Sequence, residues 1–184
     1  MLFRSQPVDR FREATRSAGW AWQDSPLPPA FADVPRHHRT IMAVEAARFH
    51  ADRLRRRPDE YPDRIRGLIE DGLSRRPVEY AEAREHHERV ADETDAAAGP
   101  GCTAAVPAAA GPAPGPETTG DPALQAPWSY AGLPVVALPV GRSADGMPLA
   151  VALVGRRWRE DDLLRTAARL EADLGLTPSL PPVP

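Results

Sequence analysis

The sequence contains no lysine: all 23 of its basic residues are arginine. Arginine keeps its proton at any ordinary pH, so nothing here can replace a neutral lysine amine as a base. Cysteine is nearly absent as well. The lone Cys102 rules out an internal disulfide and fits a reducing compartment. No apolar run approaches the ~18 residues that suggest a spanning helix. The opening MLFRSQPVDRFREATR lacks the apolar centre of a secretory signal. A cytoplasmic protein is the expectation. A net charge of −3 and a pI near 6.0 give no general field for drawing in nucleic acid or an anionic membrane, and neither partner is expected.

Chemical motifs are equally thin. The seven serines are scattered, with no G-x-S-x-G elbow, no adjacent pair, no Gly-Gly and no S-x-x-K. The histidines come as His37-His38 and His86-His87, with His50 between them. His38 and His50 lie too far apart for a metal pair on one helix, which needs spacing of three or four. No cysteine or carboxylate cluster completes a set, so surface or helix-flank positions are expected for them. Cys102 sits among Ala, Pro and Gly with nothing local to activate its thiol. The arginine run RLRRR (53–57) is accounted for by its place at a helix end, where cations are favourable. A Ser-His-Asp site could assemble only from distant residues, and the residues alone indicate no complete active site, no metal site and no cofactor.

What is present is a chain of 184 residues, long enough to bury a real core, with an α/β pattern. Val8, Phe11 and Ala14 have helical spacing over 7–18, with Gly19 as a stop. WAWQD then reads as a short strand. A long helix is expected over 36–57 with Met42, Ala46 and Phe49 inward, and a shorter one over 62–70 with Ile65, Leu68 and Ile69 inward, closed by Gly72. Pro77 suits the first turn of a third helix carrying Tyr80, Ala83 and Val90. The charged outer faces of these helices read as solvated surface.

Composition changes at residue 96. From 96 to 127 the chain is rich in Ala, Pro and Gly, which reads as a flexible linker or loop. Two apolar runs follow, Val135 to Val140 and Leu149 to Val154, joined by an Asp-Gly turn, so a hairpin is the simplest local reading. Pro139 places its strand at an edge or interrupts it. Glu160, Asp161 and Asp162 open a helix with Leu163, Ala167, Leu170 and Leu174 on one face and Gly175 at its end. The last residues, LTPSLPPVP, cannot continue a helix and read as a loose tail.

The order of these pieces carries a resemblance. The segment TTGDPALQAPWSYAGLPVVALPVGRSADGMPLAVALVGRRWREDDLLRTAARLE (118–171) is similar to the closing section of the amidase signature family. Upstream, HHRTIMAVEAARFH, YPDRIRGLIEDG and YAEAREHHERV resemble the helical section before it. FREATRSAGWAWQDSPLPPAF resembles the piece before that, and VPAAAGPAP (106–114) resembles a loop that lines the pocket. The likeness implies a partial amidase-signature fold: one domain over 1–184, mainly helical to 95, with a pocket loop or linker at 96–127. A strand-turn-strand-helix section over 128–175 and the tail at 176–184 complete it, the strands belonging to a mixed, helix-covered β-sheet.

The family hydrolyses amides, or transfers amide nitrogen, through a serine acyl-enzyme. A second serine with a cis peptide bond and a lysine complete its triad, and a Gly/Ser-rich loop supplies oxyanion donors. None of these parts is found here. The resemblance therefore implies the C-terminal part of an amidase, inactive by itself, with a small amide substrate and an N-terminal amidase chain as partners. A non-catalytic remnant serving as a binding or interaction module is the competing expectation. The substrate-lining positions implied are Pro107, Ala108, Thr119, Gly120, Trp128, Ser129 and Gly132. Ser129 stands where the family usually has asparagine, Val106 where it often has threonine, and Trp128 equally suits core packing.

Overall fold

The computed structural model describes residues 6–97, 99 and 101–176. They form six α-helices and three strands in two compact units. The expected tail at 177–184 lies outside the described residues.

The first unit comprises the described residues up to Leu27 and those from Thr94 onward. It contains α1 (Gln6–Ser17), β1 (Ala104–Pro107), α5 (Ala126–Tyr130), β2 (Val135–Arg142), β3 (Pro148–Val154) and α6 (Glu160–Leu174). The apolar runs do pair as an antiparallel hairpin, and β1 joins the far side of β3 to give the order β1-β3-β2. Pro139 has no backbone N–H to donate. It lies on β2, where the register slips between Pro139 and Gly141, and β2 is an edge of the described sheet.

One face of this sheet is covered by helices. Leu138 of β2 and Val151 and Leu153 of β3 pack with Val8 and Phe11 of α1 and with Leu163, Ala167 and Leu170 of α6. The helical spacing of those last three residues in the sequence is thus the buried stripe of α6. Gly175, at φ 61°, takes the left-handed conformation that stops the helix. WAWQD is not a strand; no backbone ladder pairs with it among the described residues. Its alternating tryptophans instead fasten helices. Trp20 donates from Nε1 to Asp173 at 2.9 Å, and Trp22 donates to the Thr15 hydroxyl at 2.8 Å. Thr15 rather than Ala14 is the third buried residue of α1. Its hydroxyl donates to the Phe11 carbonyl at 2.8 Å, so it enters the core satisfied.

The second unit runs from Pro28 to Glu93. A 3-10 turn (Pro29–Asp33) leads into α2 (Val34–Arg56), followed by a second 3-10 turn (Pro58–Glu60), α3 (Asp63–Ser74) and α4 (Pro77–Ala97), whose final residues belong to the first unit. The buried residues of α2 are Val34, His37, Thr40, Ile41, Ala43, Ala47 and Leu54, of which Ala43, Ala47 and Leu54 meet α3 or the core around it. Met42 and Phe49 are exposed, Phe49 at 81%. Of the three residues expected inward only Ala46 packs against this core, half-buried, because small alanines let α3 approach closely. Likewise Ile65 is exposed while Ile69 is wholly buried against Tyr61, Leu54 and Ala47. Gly72 does not close α3: the helix continues to Ser74 and Gly72 is buried within it. Asp71 of α3 accepts hydrogen bonds from Arg39 of α2 and from Arg75, both at 2.9 Å, and Arg39's bond comes first among the causes that hold its carboxyl below the usual range.

Candidate functional site

The positions expected to line a substrate sit on three pieces of the first unit. Pro107 and Ala108 lie at the end of β1, where the chain leaves the sheet. The Ala108 N–H still donates to the Ala150 carbonyl at 3.3 Å, which keeps this exit aligned with β3. Pro107 is buried and Ala108 half-buried.

Gln125, just ahead of α5, ties that exit to the next piece. Its side-chain nitrogen donates to the Pro107 carbonyl at 3.1 Å and to the Ala108 carbonyl at 2.7 Å. The two carbonyls thus gain a partner without a further strand. Composition alone did not reveal this contact; an amide side chain at the edge of an Ala/Pro stretch was the available signal. Asp121 orders the approach to Gln125 by accepting from the Ala123 N–H at 2.9 Å, at the start of the 3-10 turn Pro122–Leu124.

Along α5 the pattern splits. Trp128 and Tyr130 are buried, each 3% exposed, while Ser129 between them is exposed. Gly132 then reverses the chain at φ 66°, and the Leu133 N–H reaches back to the Trp128 carbonyl at 3.0 Å. That left-handed residue is what lets the chain leave α5 and enter β2 within a few residues. Thr119 and Gly120 are exposed in the loop before Asp121, where the Gly120 N–H donates to the Thr118 hydroxyl at 3.2 Å.

The loop from β3 into α6 has its own anchor. Asp95 accepts from the Arg157 N–H at 3.0 Å and from the Arg156 guanidinium at 3.2 Å. The Arg157 side chain lies about 3.9 Å from where a Cβ on Gly132 would stand. Asp95 was one acid among many in the sequence and nothing in its spacing marked it.

Pro107 and Ala108 are therefore drawn to the entrance of α5, which carries Trp128 and Ser129. Thr119 and Gly120 remain in the preceding loop. None of the seven positions is a base. They offer backbone carbonyls, a proline ring, an indole and hydroxyls: groups that shape and orient rather than activate. No cluster of three or more His, Cys, Asp or Glu side chains suited to a metal occurs among the described residues. No helix among them is long and apolar enough to cross a membrane.

No family model matches the sequence. The fold is that of amidases: a crystal structure of an amidase superposes with a TM-score of 0.82 at 24% identity, covering 91% of this chain and 41% of that one. A Mycobacterium tuberculosis protein assigned as the amidase AmiD is 33% identical over 152 residues, 77% of this chain and 32% of its own length. The 6-aminohexanoate-cyclic-dimer hydrolase of Paenarthrobacter ureafaciens is 46% identical over 52 residues, 28% of this chain and 10% of that enzyme. The chain belongs to the amidase signature family, as its residues suggested, and spans about a third of the length of the curated relatives it first matches.

Proposed function

We propose that this chain is the C-terminal part of an amidase-family hydrolase of carbon–nitrogen bonds, supplying a wall of the substrate pocket and none of the catalytic groups. One observation carries the reading: a chain that matches a third of its relatives contains no lysine anywhere. Acyl transfer through serine needs a base for the nucleophile and preorganised donors for the oxyanion. Arginine cannot act as that base.

The wall would be formed by Pro107 and Ala108, pinned by Gln125, with Trp128, Ser129 and Gly132 beside them and Thr119 and Gly120 at the rim. A small amide would lie against it, and an N-terminal amidase chain carrying the serine loop and the lysine would complete the site.

The test is an assay of the purified chain on simple aliphatic and aryl amides, alone and mixed with an amidase truncated to lack the matching third. Alone, no hydrolysis above the blank is expected; mixed, activity should return. Turnover by the isolated chain that persists through two unrelated purification schemes would overturn the proposal.

A further inference from the structure

Two of the five histidines are not where surface residues belong. His37 of α2 is 6% exposed and His86 of α4 is 2% exposed. Their rings stack, with centroids 4.0 Å apart and planes 21° from parallel. The expectation of surface positions fails for these two, and Nε2 of each ring has a hydrogen-bond partner inside the fold. Arg36 donates to Nε2 of His37 at 2.8 Å, and Nε2 of His86 lies 3.0 Å from the Ala30 carbonyl in the preceding 3-10 turn.

Those partners fix the protons. Arginine can only donate, so Nε2 of His37 must be bare; a carbonyl can only accept, so Nε2 of His86 must carry hydrogen. Both contacts suit neutral imidazoles, and the one to His37 requires it. Adding a proton to Nε2 of His37 would break its bond to Arg36 and set two cations face to face.

We propose that the stacked His37–His86 pair is an acid-sensitive latch in the helical unit, closing α2 and the 3-10 turn onto α4 only while both rings are uncharged. The charged groups around the pair are Asp33 at the end of the turn, Arg36 on α2 and Arg89 on α4. The two arginines oppose a positive ring and Asp33 favours one. Burial is the largest influence; with the arginines it overcomes Asp33 and, for His86, the bond to the Ala30 carbonyl, and holds both histidines below their ordinary value. The unfolded chain therefore binds these protons more readily than the folded one. Stability is full above the ordinary value of about 6.5 and falls as the pH drops below it toward the folded values. The upper edge of this window lies above the carboxylate range, and the latch does not depend on the amidase reading.

Urea unfolding of the full chain, followed by hydrogen exchange at the amides of α2 and α4, reads the latch directly. Between pH 7.5 and 5.5 the unfolding constant should rise, by at most about tenfold per pH unit for each histidine that must charge. His37→Phe keeps a ring against His86 and removes one titrating group, so its pH dependence should be shallower. A wild-type curve flat over this range, or an undiminished slope in His37→Phe, overturns the proposal. The ring C–H resonances of wild-type His37 and His86 give an independent answer should the variant not fold. They should titrate below about 6.5, and titration at or above that value overturns it equally.

Discussion

Gly72 shows how much one missing methyl can control. It lies within α3 where that helix crosses α2, and a Cβ built on it would overlap the carbonyl of Ala43 and stand 2.8 Å from the Ala47 methyl. A backbone carbonyl cannot rotate aside as a side chain can, so the two helices would have to separate. The partners on the other side are themselves alanines, Ala43 at 0% and Ala47 at 4% exposure, with nothing to trim in compensation. Gly72→Ala should therefore destabilise the helical unit by about 3 kcal/mol despite alanine's better helix propensity, the upper part of the range for overpacking. Chemical denaturation checks it. Gly67, on the same helix, has nothing within 4 Å of an added Cβ. Gly67→Ala should be neutral or stabilising by up to about 1 kcal/mol, as propensity alone dictates.

At the scale of the element, α2 carries the sharper lesson. Where it crosses α3 at Gly72 its inner face is alanine, Ala43 and Ala47, while Phe49 is exposed, since a close helix crossing needs small residues. Phe49→Ser should shift stability by no more than about 0.5 kcal/mol. Ile69→Ala, at a wholly buried position on α3, should cost about 3 kcal/mol in the same denaturation experiment. Had Phe49 been in the core, the two values would be comparable. This explains which parts of the fold were legible. The helices α1 to α4, α6 and the hairpin could be read because periodicity, prolines and the Asp-Gly turn are local signals. The inner face of α2 could not, because a hydrophobic stripe records residue size and not the distance to a neighbour. β1 was hidden for a related reason. Ala104 to Pro107 is a strand only because β3 pairs with it, and short Ala/Pro sequence holds no strand preference of its own. The proposed wall divides the same way: Pro107, Ala108, Trp128, Ser129 and Gly132 enter it from motif order alone, whereas Gln125 and Asp95 act through contacts at sequence separations of 17 and 62.

For the molecule as a whole, the open strand edges govern behaviour. Among the described residues β1 and β2 each pair on one side only, and β3 is the single strand with neighbours on both. On β2 the burial alternates: Leu138 is 1% exposed and packs under the helices, while Val135 is 38% exposed. Nothing charged guards Val135 to Val140, and Pro139 is the one residue in that run that blocks a ladder hydrogen bond. An antiparallel sheet of three strands with one helix-covered face can fold, but its unpaired N–H and C=O groups invite further strands. A chain that spans a third of its relatives is therefore expected to be marginally stable alone and to associate through these edges. Sedimentation and thermal unfolding across a hundredfold range of concentration would read both properties together. A broad transition should appear, with the average mass rising as concentration rises. Arg in place of Val135, on the exposed side of the edge strand, should lower that association while leaving the far-UV circular dichroism unchanged, since it places a strongly solvated charge where another strand would have to dock. A sharp, cooperative, concentration-independent melt at monomeric mass would show instead that the sheet needs no neighbour.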